Sequence, residues 1–111
     1  MLRRLATAQG RIVVTFRLPA YVAAADAFVV GDFNDWSSTA TPMRRDDSGW
    51  CADLTLATGR CYRFRYLLDG RRWVNDWDAD DYRANEYGGE DSVVDLRGAV
   101  PSERLSEGSA R

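Results

Sequence analysis

Short segments suited to β-strands constrain the fold of this chain more than any other feature of its sequence. Residues 11–18, 50–56 and 62–68 alternate apolar with polar side chains, residues 27–30 are a short apolar run, and residues 92–96 are rich in apolar side chains. Alternation with a period of two places one set of side chains on one face of a strand, whereas an amphipathic helix needs a period of about 3.6 residues. No useful length of the sequence shows the helical period. We therefore predict an all-β fold.

The number of these segments and the turns between them predict the architecture. A tight Asp-Gly turn at residues 69–70 leads into a further short strand, which makes six to eight short, mainly antiparallel strands in all. A chain of 111 residues has room for one thin core. We predict an immunoglobulin-like β-sandwich over residues 11–97, preceded by an N-terminal leader, 1–10, and followed by a disordered tail, 98–111.

One hairpin prediction has consequences for the two cysteines. A turn at residues 57–60 would join the neighbouring strands as a hairpin and place Asp53 opposite Arg65. Cys51 and Cys61 would then lie about 20 Å apart along the hairpin. A disulfide needs Cα atoms within about 7 Å, so we predict two free thiols, which are typical of a reducing compartment.

The composition argues against several classes of function. The chain has no histidine, which removes Ser-His-Asp and Cys-His catalysis and histidine-bearing metal sites. A net charge of −2 and a pI of about 5.1 argue against nucleic acid as a partner. No run approaches the roughly 20 apolar residues of a membrane span. The first residues lack the apolar core of a signal peptide, so we expect a cytoplasmic location and no membrane partner.

The acidic segment 75–90 is predicted to be a long polar loop. Its carboxylates, beginning at Asp76, suggest calcium, but the sixth position of the EF-hand pattern is Asp81 instead of Gly and the twelfth is Tyr87 instead of Glu. Nothing marks two of the 17 acidic residues as a catalytic pair. We predict no metal, no cofactor and no catalytic residue, so the protein is not expected to be an enzyme.

Tryptophans in loop positions are the strongest functional signal. Trp36 ends a polar loop directly after an apolar strand, and Trp73 follows the Asp-Gly turn. Trp50 stands at an inward strand position and is assigned to the core, while Trp77 fits packing or surface equally well. Exposed indoles beside planar polar groups such as Asn34 are typical of sugar recognition. A protein-binding patch explains the same residues equally well.

Three blocks of the sequence resemble the family 48 carbohydrate-binding modules. They are Val-Val-Gly-Asp-Phe-Asn-Asp-Trp at 29–36, Tyr-Arg-Phe-Arg-Tyr-Leu-Leu-Asp-Gly at 62–70 with Trp73 after it, and Asn-Glu-Tyr-Gly-Gly-Glu-Asp-Ser-Val-Val at 85–94. This family includes the glycogen-binding domain of the AMP-activated protein kinase β subunit and the N-terminal early-set domains of isoamylases and glycogen branching enzymes. The resemblance implies an early-set β-sandwich that binds α-1,4-linked glucan and has no catalytic activity.

The resemblance also assigns candidate sugar-binding residues. Trp36 and Trp73 match the two stacking tryptophans of the kinase domain, and Arg65 stands where that domain has a sugar-contacting lysine. Asp91 falls near its hydroxyl-binding asparagine, and residues 87–91 match its glucan-touching loop. The complete candidate set is Asn34, Trp36, Arg63, Arg65, Trp73, Tyr87 and Asp91.

The resulting functional prediction is a non-catalytic module that binds glycogen, starch or maltooligosaccharide. The alternative is an early-set protein-interaction domain. In that case the chain would dock onto a glycogen-metabolising enzyme or another partner without binding sugar itself.

Overall fold

The computed structural model describes residues 2–6 and 10–98, and these residues form two antiparallel β-sheets that enclose a common core. The predicted immunoglobulin-like β-sandwich is confirmed, although the described part of the chain has nine strands where six to eight were expected. In chain order the strands are β1 (Leu2–Ala6), β2 (Arg11–Pro19), β3 (Ala27–Gly31), β4 (Arg44–Asp46), β5 (Gly49–Ala57), β6 (Cys61–Leu68), β7 (Arg72–Val74), β8 (Asp81–Ala84) and β9 (Glu90–Asp95). None of the described residues belongs to a helix long and apolar enough to cross a membrane.

Strand β6 is the centre of the second sheet. The first sheet has the order β1-β2-β5-β4. In the second sheet β3 pairs with one edge of β6, while β9 and β7 pair with the first and last parts of its other edge. Strand β8 extends this sheet by pairing with β9. Three strands are therefore positioned directly by β6.

Alternation sorts the side chains of the central strands into a core face and an outer face, as the sequence predicts. The buried residues of β2 are Ile12, Val14, Phe16 and Leu18, and those of β6 on the same core are Tyr62, Phe64, Tyr66 and Leu68. Phe16 and Phe64 meet edge to face across the two sheets, with ring centroids 5.0 Å apart. Such an aromatic pair adds about 0.5–1.5 kcal/mol to the stabilisation from buried area.

The predicted hairpin between residues 50–56 and 62–68 is wrong, because β5 and β6 lie in different sheets. The chain crosses between the sheets after β5. There the Thr58 N–H donates to the Gly10 carbonyl (2.9 Å) and the Gly59 N–H donates to the Leu96 carbonyl (2.8 Å). Either sheet of a sandwich presents its apolar side chains to the same core. Alternation therefore could not distinguish a hairpin from this crossover.

The side-chain pairing that followed from that hairpin is also wrong. Asp53 does not face Arg65 but lies opposite Thr15 of β2. Its carboxylate accepts a hydrogen bond from the Thr15 hydroxyl (2.6 Å) and another from Arg44 (3.3 Å). The Thr15 hydrogen bond, with help from Arg44, lowers the pKa of Asp53. These bonds belong to the outer face of the first sheet.

The two cysteines are free, as predicted. The reason is different from the expected one, since Cys51 lies on β5 in the first sheet and Cys61 on β6 in the second.

Two strands fall in segments that were predicted to be irregular. Strand β1 lies within the segment 1–10, predicted as a leader, and pairs with β2 along the edge of the first sheet. Strand β8 lies within 75–90, predicted as a loop, and all four of its residues are exposed. An edge strand with both faces in water carries no apolar alternation, so its sequence gives no strand signal. Except for Gly98, the predicted tail 98–111 lies outside the described residues.

A buried carboxylate connects the acidic segment to the sandwich. Asp76 Oδ2 accepts a hydrogen bond from the Tyr66 hydroxyl (2.7 Å), and Oδ1 accepts one from the Asp78 N–H (2.8 Å). The Asp76 N–H donates to the Ser92 hydroxyl on β9 (2.8 Å). Burial and the neighbouring Asp76 raise the pKa of Tyr66 above its usual range. Among the described residues no group of three or more Cys, Asp and Glu side chains is arranged to hold a metal ion.

Tyr66→Phe tests this buried connection. The substitution keeps the ring but removes the donor to Asp76, so we expect the free energy of unfolding to fall by about 1–3 kcal/mol. Urea denaturation measures the change. Tyr21→Phe is the control because the Tyr21 ring is exposed, and it should change stability by less than about 0.5 kcal/mol. An equally small change for Tyr66→Phe would contradict a stabilising role for the hydroxyl.

Candidate functional site

The outer face of the second sheet carries the candidate site. Arg63, Arg65 and Leu67 alternate with the core residues of β6 and therefore point to the outer face. Directly paired residues of neighbouring strands share a face. Val93 on β9 is paired with Arg63, and Trp73 on β7 is paired with Leu67. The register therefore places Trp73 and both arginines on the same side of the sheet.

The loop after β3 brings Trp36 to this face. Phe33 turns inward and packs on Phe16 of the core, with ring centroids 5.3 Å apart. Asp35 and Trp36 then adopt left-handed backbone angles (φ 56° and 58°), and the Trp36 N–H donates to the Gly31 carbonyl (2.9 Å). Side chains other than glycine seldom occupy this region. The two left-handed residues reverse the chain and leave the indole at the surface.

Asn34 maintains the shape of this loop. Its Oδ1 accepts a hydrogen bond from the Gly31 N–H (3.0 Å). Its Nδ2 donates to the Val29 carbonyl (3.0 Å) and to the Thr41 hydroxyl (2.9 Å). Asn34 is not among the residues that line the cleft described next. The structure thus separates it from the other six candidate residues.

A cleft of about 680 Å³ on the outer face brings the six other candidates together. Trp36 is 37% exposed and Trp73 is 43% exposed, so both rings are accessible. The candidates that line the cleft are Trp36, Arg63, Arg65, Trp73, Tyr87 and Asp91. The lining residues that the sequence reasoning missed are Asp32, Ala84, Asn85 and Glu86.

Arg65 brings a positive charge into the cleft. It lies on β6, paired with Val30 of β3, and no residue in the described ranges forms an ion pair with it. Its Nε is buried and makes no hydrogen bond to a described residue. A buried donor without a partner costs about 1–3 kcal/mol. Because its guanidinium binds none of the described residues, Arg65 does not hold other described parts of the site in place.

Arg63 and Asp91 connect the β8–β9 loop to β6. Arg63 Nη1 donates to the Ala84 carbonyl (3.3 Å) and lies 3.6 Å from Asp91 Oδ2. Asp91 is buried, and its Oδ1 accepts a hydrogen bond from Asn85 Nδ2 (3.0 Å). Both carboxylate oxygens of Asp91 thus have partners within the protein. The pair supports one wall of the cleft.

Asn85 shapes the tip of that wall. Its Oδ1 accepts hydrogen bonds from the N–H groups of Tyr87 (3.0 Å) and Gly89 (3.1 Å), and its own N–H donates to the Gly89 carbonyl (2.9 Å). Tyr87 is left exposed at the rim of the cleft. An asparagine that bonds the backbone two residues later is an Asx turn. The Asn-Glu-Tyr-Gly-Gly sequence contains that signal, which the sequence reasoning did not use.

Asp32 holds the opposite part of the site. Its Oδ1 accepts a hydrogen bond from the indole Nε1–H of Trp36 (2.9 Å). Its Oδ2 accepts one from the backbone N–H of Arg63 (2.7 Å). One carboxylate therefore joins the exposed indole to the central strand.

The turn before Trp73 is also held by a carboxylate. Asp69 and Gly70 have left-handed backbone angles (φ 55° and 69°), as expected for an Asp-Gly hairpin turn. Asp69 Oδ1 accepts hydrogen bonds from the N–H groups of Ala25 (2.7 Å) and Asp26 (3.2 Å). These bonds, the Ala25 one first, lower the pKa of Asp69. The turn that precedes Trp73 is thereby attached to the β2–β3 loop.

The remaining two tryptophans have different environments. Trp50 is buried in the core, as predicted, and the Arg45 guanidinium lies 5.2 Å from its ring centroid. Trp77 is 52% exposed and stacks on Tyr21, which is 77% exposed, with centroids 6.2 Å apart and planes 22° from parallel. Neither ring of this pair lines the cleft. The structure therefore has a second exposed aromatic patch, formed by Tyr21 and Trp77.

Comparison with known protein families identifies the family of this chain. The model of carbohydrate-binding module 48 (isoamylase N-terminal domain) matches residues 7–88. The match spans the loop that carries Trp36 and the strands that carry Arg65 and Trp73, and it reaches Tyr87 but ends before Asp91. A search of curated proteins found no match.

Gly31→Ala tests the close contact at the start of the Trp36 loop. A Cβ on Gly31 would lie 2.4 Å from the Arg63 carbonyl oxygen and 2.8 Å from Phe64 Cβ. We expect the free energy of unfolding to fall by about 1–3 kcal/mol because the core of the loop becomes overpacked. Chemical denaturation measures the loss. Gly98→Ala, where a Cβ meets no atom within 4 Å, should be close to neutral; similar stabilities for the two variants would refute the crowding argument.

Proposed function

The chain belongs to family 48 of the carbohydrate-binding modules, and on this premise we propose that it binds α-1,4-linked glucan without cleaving it. Glycogen, starch and maltooligosaccharides are the proposed ligands. The observation that supports the proposal most directly is that Trp36 and Trp73 are both exposed and line the same cleft. Arg65, on the central strand of the second sheet, lines that cleft as well. A shared cleft allows one sugar chain to meet both rings.

The proposed mode of binding is stacking supplemented by hydrogen bonds. The flat indole faces of Trp36 and Trp73 would contact the C–H faces of glucose rings, and Arg65 would donate to hydroxyl groups. Each stacking contact is worth about 0.5–1.5 kcal/mol beyond buried area, with aromatic pairs as the guide. Two such contacts and a few hydrogen bonds give a dissociation constant in the range of about 1 μM to 1 mM.

The contacts within the cleft suggest two roles for the candidate residues. Residues with an exposed ring or an uncommitted charge are proposed to contact glucan; these are Trp36, Trp73, Arg65 and Tyr87. Residues whose polar groups already bind the protein are proposed to support them; these are Asn34, Arg63 and Asp91. The two free thiols support the further proposal that the protein works in the reducing cytoplasm.

Trp36→Ala and Trp73→Ala test the proposed site. Each substitution removes one platform, so we expect the dissociation constant for maltoheptaose or β-cyclodextrin to rise about 10-fold. The double variant should show no binding at millimolar ligand. Isothermal titration calorimetry measures the affinity, and circular dichroism checks that each variant is folded.

Trp77→Ala is the matched control, since it removes an exposed indole that lies outside the cleft. Its affinity for glucan should equal that of the wild type. Absence of wild-type binding at millimolar ligand, or unchanged affinity in both cleft variants, would overturn the proposal.

A second candidate function is docking onto a glycogen-metabolising enzyme or another protein. The observation that favours it is the stacked pair of Tyr21 and Trp77, which is exposed and separate from the cleft. Tyrosine and tryptophan are enriched at the energetic centres of protein interfaces. The pair comes from two loops that are attached to the sandwich, because Asp69 binds the first loop and the buried Asp76 lies next to Trp77.

Tyr21→Ser combined with Trp77→Ser tests this second function. We expect a glycogen-metabolising enzyme that co-purifies with the wild type to be lost from this variant by at least about 10-fold, because an interface centre is removed. Amylase treatment beforehand excludes a bridge made of glucan. The Trp36→Ala/Trp73→Ala variant is the control and should retain the enzyme. Retention by the Tyr21/Trp77 variant, or loss after amylase treatment of the wild type, would count against docking through this patch.

A further inference from the structure

We infer that Asp32 is a positioning residue, whose carboxylate fixes the indole of Trp36 in the orientation that glucan requires. This role rests on the proposed function, because the orientation of Trp36 matters for sugar only if its ring is a stacking platform. No role for Asp32 follows from the three blocks of sequence similarity themselves. Its role follows from the hydrogen bonds that it accepts.

The Asp32 carboxylate joins the side chain of Trp36 to the main chain of β6. Oδ1 accepts from the Trp36 Nε1–H (2.9 Å), which belongs to a loop side chain. Oδ2 accepts from the Arg63 N–H (2.7 Å), which belongs to the main chain of β6. Hydrogen bonds to an ionised group are shorter and stronger than those between neutral groups. The two hydrogen bonds therefore fix the position of the indole relative to the central strand of the second sheet.

The side-chain orientation of Trp36 depends on this hydrogen bond more than the orientation of an aromatic residue in the core would. Its ring is 37% exposed, so packing alone surrounds it incompletely. Its backbone and that of Asp35 are left-handed, and this conformation sets the direction of Cα–Cβ without setting the side-chain torsions. An exposed side chain that must be ordered when a ligand binds lowers the affinity, whereas one that is ordered beforehand does not.

Trp36 and Trp73 differ in whether the indole N–H is already hydrogen-bonded within the protein. Trp73 lies in the β-ladder, paired with Leu67, and none of the described residues accepts a hydrogen bond from its indole. The indole N–H of Trp36 is already committed to Asp32. Trp36 is thus suited to stacking alone, while Trp73 can stack and also donate to a sugar hydroxyl.

Arg63 extends the same support to the other wall. Its N–H binds Asp32, and its guanidinium binds the Ala84 carbonyl and lies near Asp91. A single residue of β6 therefore connects the wall that carries Trp36 with the wall that carries Tyr87. Within this connection, Asp32 is the residue that binds an aromatic side chain, the indole of Trp36.

The first experiment measures the indole directly and needs no ligand. In a ¹⁵N–¹H spectrum, Trp36→Phe identifies the Trp36 indole proton by its loss. Asp32→Ala should then shift that proton upfield and speed its exchange with solvent, while the Trp73 indole proton stays in place. Asp47→Ala removes another exposed carboxylate, one that does not line the cleft, and should change neither signal. An unshifted Trp36 proton in Asp32→Ala overturns the positioning role.

The second experiment separates positioning from direct contact with sugar, since Asp32 itself lines the cleft. Asp32→Ala should weaken maltoheptaose binding about 5-fold in the wild type. In the Trp36→Phe background, where the ring has no N–H donor, the same substitution should weaken binding less than about 2-fold. An equal loss in both backgrounds assigns Asp32 to direct contact and overturns the role proposed here.

Asp32→Asn is a second variant, which keeps the test decisive if Asp32→Ala does not fold. The amide keeps one acceptor oxygen, so it can bind one of the two donors, and an intermediate shift of the Trp36 proton is expected. If the wild type binds no maltoheptaose, the proposed function fails. The spectroscopic measurement still decides whether Asp32 holds Trp36.

Discussion

The close packing of Gly31 against strand β6 is the contact on which the site depends. No side chain separates the end of β3 from the Arg63 carbonyl and Phe64, so the loop lies directly on the central strand of the second sheet. At this distance Phe33 can enter the core and Asp32 can reach the Arg63 N–H. The left-handed residues Asp35 and Trp36 then return the indole to the surface.

The cleft shows how hydrogen-bonded polar side chains can support a surface that leaves aromatic rings exposed. Asn34 shapes one loop, Asn85 shapes another, and Asp91 is buried between Asn85 and Arg63. Each satisfies backbone or side-chain groups that would otherwise be unpaired. The aromatic rings can then remain in water, because the structure around them is held by hydrogen bonds instead of by burial of the rings themselves.

Errors in the sequence prediction arose where alternative structures give the same local pattern. Residues 50–56 and 62–68 have the same alternation whether they form a hairpin or belong to opposing sheets, so the Asp53–Arg65 pair was misplaced. Strand β8 was missed because all of its residues face water. By contrast, the core faces of β2 and β6 were predicted correctly. Alternation of apolar and polar residues indicates which side of a strand is buried, and this holds whichever strand it pairs with.

The sequence by itself determined the all-β class, the core residues and, through its three blocks, the family to which the chain belongs. It also placed Trp36 in a loop directly after a strand, whereas Trp73, which was predicted in a loop position, lies in strand β7 after the Asp-Gly turn. Only the tertiary structure decided that their rings share one cleft and that Asp32 and Arg63 join its walls, because these contacts depend on which strands pair and in which register. Local periodicity is set by burial, whereas strand pairing is set by contacts between residues far apart in the chain.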